Sequence, residues 1–213
     1  MKKVNPIVVF FLIVLNSFIF TNLQSQISNS IMIKVGELLI TSIDIQNEII
    51  TSLVLNEQDI TQENINNNKS YAVKKLINKS IKKIEINKYK IEDYNKKDLQ
   101  DYTFKIAKQF GANLKELKEV FKRNNIDYET FVENHKTELL WNTLIFQLYK
   151  NQTNVNIVEV ENEVEKIKDN KSDEELKKIK INILNKKKSE KLNLFSRSHY
   201  SNLENTVVIN FNE

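Results

Sequence analysis

The sequence predicts a mainly α-helical fold with a small β-sheet, and three features indicate it. Segments with apolar residues at helical spacing follow one another through most of the chain, and capping residues introduce them. Two short β-type segments, Ile31–Val35 and Leu38–Ile40, precede the helices. A third, Val207–Phe211, follows them, and a single strand cannot satisfy its own backbone donors and acceptors. We therefore expect Val207–Phe211 to pair with Ile31–Val35 in one sheet.

The first residues have the pattern of an export signal. Met1-Lys2-Lys3 is basic, and residues 7–20 are apolar apart from Asn16 and Ser17. This apolar stretch is shorter than the roughly 20 residues that a helix needs to cross a bilayer. We therefore predict a cleaved signal peptide over residues 1–25 and a periplasmic mature protein. The alternative is an uncleaved segment that anchors the protein in the inner membrane, facing the periplasm.

The next segments predict a hairpin, a helix, a loop and a second helix. Gly36 lies between the two β-type segments and indicates a tight turn. Asp44–Leu55 follows the capping signal that begins at Thr41 and is expected to be helical. Asn56–Lys69 is polar and has no periodicity, so we predict a loop. Ser70–Lys88 has apolar residues at helical spacing, with lysines on the opposite face that we expect to be solvated.

Three further helices are predicted in the middle of the chain by their N-cap residues. Asn95 precedes a helix that runs to Phe110, and Asn113 precedes a short one. Asp127 opens a long helix from Tyr128 to about Lys150. The second half of this long helix is apolar on nearly every side, which is typical of a helix at the centre of a core.

The last third of the chain predicts two helices before the final strand. One lies near Glu159–Lys168, and Asp169–Lys171 forms a polar hinge after it. Ser172 and Glu175 form a capping box that opens a helix to about Ser198. We assign residues 26–168 to one helical domain, and residues 169–213 to a helix and strand that pack back on it.

Composition excludes several classes of protein. The chain has no cysteine, which rules out a disulfide framework and attachment to lipid through cysteine. Its two glycines cannot form a phosphate-binding loop. The net charge of +4 is small, and Arg123 and Arg197 are the only arginines, so we expect no nucleic-acid partner.

The sequence also lacks a catalytic or metal-binding pattern. His135 and His199 are the only histidines; they share no helical face, and structural roles are favoured for both. No serine lies in a nucleophile motif. Most carboxylates alternate with lysines on faces expected to be solvated. We therefore predict a protein that is not an enzyme and uses no cofactor or metal.

Aromatic residues between positions 100 and 150 are the candidate binding residues. For any single one of them, filling the core is the favoured interpretation. The alternative is that part of the set lines a groove for an extended apolar peptide, because non-directional apolar contacts accept many sequences. The peptide-binding candidates are Phe121, Phe131, Trp141 and Tyr149.

The order and spacing of several segments resemble those of one protein family. The matching segments are Gly36–Thr41 with Asp44, Ala72–Ile91, Ile106–Phe110, Leu114–Val120, Asn125–Phe131 and Val158–Glu161. In this order the chain is similar to the N-terminal domain of SurA-like periplasmic chaperones, relatives of PrsA and of the chaperone part of trigger factor. The resemblance runs from Ile31 to about Ile167 and rests on no catalytic motif.

The resemblance implies a function and one missing part. In SurA-like proteins, one or two parvulin-type prolyl isomerase domains precede a final helix and strand that return to the N-terminal domain. Here Asp169–Lys171 leads directly into the final helix, so we expect the isomerase domains to be absent. What remains implies an ATP-independent chaperone for unfolded or extended polypeptides, such as outer-membrane protein precursors. The alternative is a non-enzymatic envelope adaptor that binds one folded partner.

Overall fold

A computed structural model describes residues 30–169 and 171–212. Within them, seven α-helices and a three-stranded antiparallel sheet confirm the mainly α fold class. None of the helices in these two ranges is both long and apolar enough for a bilayer span. The signal peptide predicted over residues 1–25, and the anchor that is its alternative, lie outside the described residues.

The elements follow one another in a simple order. Strands β1 and β2 come first, five helices follow, a short 3₁₀ turn leads to two more helices, and β3 comes last. Their bounds are β1 Ile31–Val35, β2 Leu38–Thr41, α1 Ser42–Leu55, α2 Gln62–Lys88, α3 Lys96–Gln109, α4 Leu114–Arg123, α5 Tyr128–Tyr149, the 3₁₀ turn Lys150–Gln152, α6 Ile157–Glu165, α7 Asp173–Glu204 and β3 Ile209–Phe211.

The sheet has the order β2-β1-β3, so β1 is its central strand. Ile33 pairs with Phe211, and Val35 pairs with Ile209, both in antiparallel register. The turn between β1 and β2 places Gly36 at a φ of +55°, where a residue without a Cβ is least strained. The predictions of a hairpin at Gly36 and of pairing between the last and first strands are both confirmed.

Side-chain caps begin the helices where the sequence predicts them. Asn95 caps α3, and Asp127 caps α5, each accepting backbone N–H bonds from the first turn. Capping boxes, in which two side chains satisfy each other's backbone N–H, open α1, α4 and α7. The pairs that form them are Thr41 with Asp44, Asn113 with Glu116, and Ser172 with Glu175.

The predicted loop over Asn56–Lys69 is wrong beyond Thr61. Thr61 accepts from the Asn64 backbone N–H, and α2 begins at Gln62. The first turns of α2 are polar because they are largely exposed, so no apolar periodicity marks them. Hydrogen bonds between side chains four residues apart, such as Gln62 Nε2 to Asn66 Oδ1 at 3.0 Å, support these turns. Helix α7 likewise continues past Ser198 to Glu204.

Three apolar clusters hold the elements together. The first joins the sheet to α1 and α2, with Ile33, Val35, Leu53 and Ile81 among its most buried members. The second joins α3, α4 and the start of α5 to the end of α1. The third joins the ends of α2 and α5 to α7. Helix α2 therefore belongs to the first and third clusters, and helix α5 to the second and third.

A stripe of three lysines fixes α2 against α1 and α5. Lys75, Lys79 and Lys82 lie on one face of α2 because they are spaced by four and three residues. Lys75 pairs with the buried Glu48 of α1. On α5, Lys79 donates to Asn134, and Lys82 pairs with Glu138 at 2.6 Å. The expectation of a solvated lysine face is wrong for Lys79 and Lys82, which are partly buried against α5, whereas Lys75 is exposed as expected.

The return of β3 to the sheet predicts the effect of removing it. Tyr200, Leu203, Val207 and Ile209 are partly buried against the first apolar cluster. Deleting residues 204–213 removes Val207 and Ile209 from it and leaves one edge of β1 unpaired. Half-burial of two aliphatic side chains corresponds to about 2 kcal/mol. We expect the melting temperature to fall by roughly 4–8 °C for a domain of this size.

Val208→Ser provides the control for this deletion. The Val208 side chain is 65% exposed, so the substitution should leave the melting temperature within about 1 °C, since exposed positions contribute little. Both variants are measured by circular dichroism during heating. An unchanged melting temperature of the truncated chain would show that strand closure does not stabilise the domain.

Candidate functional site

The four candidate residues separate into two aromatic groups. Phe121 and Phe131 belong to the first group. Their ring centroids lie 4.9 Å apart at an interplanar angle of 87°, which is an edge-to-face contact. Phe121 is fully buried and Phe131 nearly so. Tyr102 and Tyr128 pack around Phe131, with centroids at 5.7 and 6.2 Å. This group joins α3, α4 and α5.

Trp141 and Tyr149 form the second group, at the other end of α5. Both rings lie close to His199 of α7, with centroid distances of 5.6 and 5.8 Å. Trp141 is 1% exposed, and its indole N–H donates to Ser196 Oγ at 2.8 Å. Tyr149 is partly exposed and stacks on Phe195 at 4.8 Å.

The structure therefore brings the four candidates together as two pairs that face different neighbours. Three of the candidates fill the core, as the favoured interpretation of single aromatic residues predicts: Phe121, Phe131 and Trp141. A direct contact between these three and a peptide stays a prediction, and it requires the surrounding helices to separate. Tyr149 is the candidate whose side chain is already accessible at the surface.

A chain of hydrogen bonds connects Tyr149 to the interior. The Tyr149 hydroxyl lies 2.8 Å from His199 Nδ1, and His199 Nε2 lies 3.3 Å from Glu85 Oε1. Burial is the main cause that raises the pKa of Tyr149, so its hydroxyl stays protonated at neutral pH. The roles of donor and acceptor in the two bonds of the His199 ring follow its tautomer, since a neutral imidazole donates from one nitrogen and accepts at the other.

Glu85 was not identified from the sequence. It is 3% exposed, although most carboxylates of this chain were expected to be solvated. One signal was available, because Glu85 follows the buried Ile81 by four residues and so shares its helix face. Lys88 also donates to Glu85 at 3.2 Å. These contacts fix α7 to α2 and α5, and they serve the packing of the domain.

His135 also has a structural environment. Its ring stacks on Tyr102 with centroids 3.5 Å apart and planes 9° from parallel. Burial lowers the pKa of His135 more than nearby carboxylates raise it, which favours the neutral ring. In residues 30–169 and 171–212, no three His, Cys, Asp or Glu side chains are grouped so that they could hold a metal ion.

Helices α6 and α7 form an arm that buries little of itself. Lys187 pairs with Glu159 and Glu163 at 2.7 Å, and Lys180 pairs with Glu161 at 2.8 Å. Val160 is the buried residue of α6, and no described residue of α7 is buried. Ion pairs at the surface therefore join α6 to α7.

Several exposed apolar side chains lie on the elements that meet where this arm joins α5. The backbone oxygen of Asn154 accepts from Lys191, which brings the start of α6 beside the turn of α7 that carries Leu194. The stack of Tyr149 on Phe195 brings the end of α5 to the same turn. We call the following residues the junction surface, and each is between 48% and 64% exposed: Phe146, Ile157, Val158 and Leu194.

Comparisons with known proteins give little to set beside this geometry. Neither a protein-family model nor a curated protein matches the chain. A solved structure from work on PEB4 and Cj1289 of Campylobacter jejuni, described as two structurally related SurA-like chaperones, aligns with 87% of this chain and 100% of its own. The identity is 16% and the TM-score 0.43. Likeness at this level does not establish a shared family or function.

The burial of Trp141 predicts what its substitution does. Trp141→Phe removes the bond to Ser196 and leaves a gap beside Leu144 and Ile145 in the third cluster. We expect the free energy of unfolding in urea to fall by about 1–3 kcal/mol. The affinity for an unfolded polypeptide, measured on the folded fraction, should stay unchanged.

Tyr149→Phe is the matched variant, because it keeps the stack on Phe195 and removes only the hydroxyl. Its expected loss is about 1 kcal/mol, the usual contribution of one hydrogen bond. If Trp141→Phe keeps full stability but weakens polypeptide binding, then Trp141 lines a binding groove and the core assignment is wrong.

Proposed function

We propose that this protein is an ATP-independent, chaperone-like protein that binds unfolded or extended polypeptides, with outer-membrane protein precursors among its clients. The observation that supports this proposal most is the junction surface, where four large apolar side chains remain exposed beside a folded core. Apolar area removed from water contributes about 25 cal/mol per Å² without directional requirements. Such a surface accepts apolar segments of many different sequences.

The construction of the arm supports the same proposal. Exposed ion pairs such as Lys180–Glu161 are individually weak, about 0–1 kcal/mol each. The α6–α7 contact can therefore adjust at low cost when clients of different shape bind. The C-terminal half of α7 is fixed by Trp141, Tyr149 and Glu85, so such movement leaves the core intact.

The resemblance of the sequence to SurA-like chaperones supports a location in the periplasm and a role with outer-membrane protein precursors. A protein with this role works in the periplasm, where precursors must stay unfolded until they insert. Binding the unfolded chain lowers its free concentration and so slows aggregation by mass action. We propose that residues 1–25 direct export and are removed there. Mass spectrometry of the protein from a periplasmic fraction tests this by locating the mature N-terminus.

A holding assay tests the proposed function. An unfolded outer-membrane β-barrel protein is diluted from urea into buffer, and light scattering reports its aggregation. The purified protein, added in excess, should suppress the scattering without ATP. Replacing Ile157, Val158 and Leu194 together by Ser should weaken suppression severalfold, because these side chains supply the exposed apolar contact.

Tyr71→Ser combined with Phe104→Ser is the matched control. These side chains are 58% and 50% exposed but lie on α2 and α3, away from the junction surface. The control should suppress aggregation like the unchanged protein. Equal loss in both variants would contradict a localised site. High affinity for one folded envelope protein, with no suppression of aggregation, would replace the proposal by the adaptor function.

A second prediction concerns enzymatic activity. The connection between α6 and α7 spans residues 166–172, which leaves no room for an isomerase domain. The purified protein should therefore not accelerate cis-to-trans isomerisation of a proline-containing peptide in a protease-coupled assay. Acceleration that follows the protein through successive purification steps would show that the helical domain itself carries the activity.

A further inference from the structure

A cleft between α1, α2, α3 and α5 contains the middle lysine of the α2 stripe. Its volume is about 190 Å³, and Lys79 faces it together with Asn134, Tyr102, His135 and Phe131. The cleft is separate from the junction surface, since the two share no residue. A charged group and aromatic rings line the same cleft here.

Lys79 differs from the lysines on either side of it. Lys75 and Lys82 pair with the carboxylates of Glu48 and Glu138, whereas Lys79 donates to the neutral side-chain oxygen of Asn134. No carboxylate of the described residues lies within ion-pair distance of Lys79. An ammonium has three donors, so Lys79 retains hydrogen-bonding capacity toward the cleft.

The surroundings of Lys79 favour an anion. Burial is the main cause that lowers the pKa of Lys79, and the nearby Lys83 acts in the same direction. Glu48 and Asp44 act in the opposite direction, but Glu48 is paired with Lys75, and Asp44 caps the start of α1. A bound anion would restore the stabilisation that the desolvated ammonium lacks.

Aromatic rings form one part of the cleft, which Thr51, Leu55 and Lys75 also line. Two carboxylates line it as well, Glu48 and Glu138, and each is paired with a lysine other than Lys79. The stacked pair of Tyr102 and His135 makes one wall, and Phe131 packs beside Tyr102. Because the neutral form of His135 is favoured, this wall carries no second charge at neutral pH. Cavities of about 150 Å³ hold a benzene-sized molecule, so this cleft has room for one ring and a small polar group.

We propose that this cleft binds a carboxylate attached to a single aromatic or similarly small apolar group. The ammonium of Lys79 and the side-chain N–H of Asn134 donate to the carboxylate, and the apolar group packs against Tyr102, His135 and Phe131. Such a group occurs at the C-terminus of a polypeptide and in a free small acid. The proposal stands on the cleft alone and does not depend on the proposed chaperone function.

Titration with 3-phenylpropionate, followed by amide and side-chain NMR shifts of the ¹⁵N-labelled protein, tests the site. We expect saturable shifts at Asn134 and His135, and no binding of 3-phenylpropionamide. Lys79→Met should weaken affinity about tenfold or more, which is the effect of losing a charge-assisted hydrogen bond. Lys74→Met, an exposed position on the same helix, should leave affinity unchanged.

Asn134→Asp provides a second variant that keeps Lys79. The new carboxylate pairs with Lys79 internally, so the variant should fold. Its affinity for 3-phenylpropionate should fall by a similar factor, because Lys79 is then occupied. Two tetrapeptides ending in Phe, one with a free carboxylate and one amidated, distinguish the sources. Binding of the free-acid peptide at Asn134 would assign the site to chain ends, and binding of 3-phenylpropionate alone would assign it to small acids.

Three results would overturn the proposal. The first is absence of saturable binding by both 3-phenylpropionate and the free-acid peptide at millimolar concentration. The second is equal binding of acids and their amides, because the carboxylate would then contribute nothing. The third is unchanged affinity in Lys79→Met when circular dichroism shows that the variant is folded.

Discussion

The pairing of β1 with β3 is the contact on which the rest of the structure depends. It makes β1 a central strand and places Ile33 and Val35 under α1 and α2 in the first apolar cluster. It also fixes the end of α7, because Leu203 and Val207 pack on that cluster just before β3 begins. With α7 fixed at this end, its turns around Phe195 and Ser196 contact Trp141 and Tyr149 of α5. These contacts place the arm that α7 forms with α6.

Buried polar groups give this helical packing its specificity. Helix α2 presents Lys75, Lys79 and Lys82 to α1 and α5, and Glu85 to α7. Apolar side chains alone allow helices to slide past each other, but a buried carboxylate without a partner costs several kcal/mol. Each of these bonds therefore selects one register of α2 against its neighbours. No buried polar side-chain atom of the described residues lacks a hydrogen-bond partner.

Local signals account for what the sequence predicts correctly. Helix starts at Asn95, Asp127 and Ser172 depend on side chains within three residues, and the turn at Gly36 depends on one φ angle. The pairing of Lys79 and the burial of Glu85 depend on helices far away in sequence, and no local pattern contains that information. The same reason explains the aromatic candidates. Their number can be read from the sequence, but their separation into two groups follows from the packing of α5 against α3 and α4 at one end and against α7 at the other.

The register of Ile33 opposite Phe211 has a consequence for the order of folding. These residues are far apart in sequence, so their contact requires a large loop to close, and such contacts form slowly. During synthesis, β1 and β2 are complete long before β3 exists. Until then β1 has an open edge, and an open edge can pair with the strands of other chains. Chains that stop short of β3 are therefore the forms of this protein most prone to aggregate.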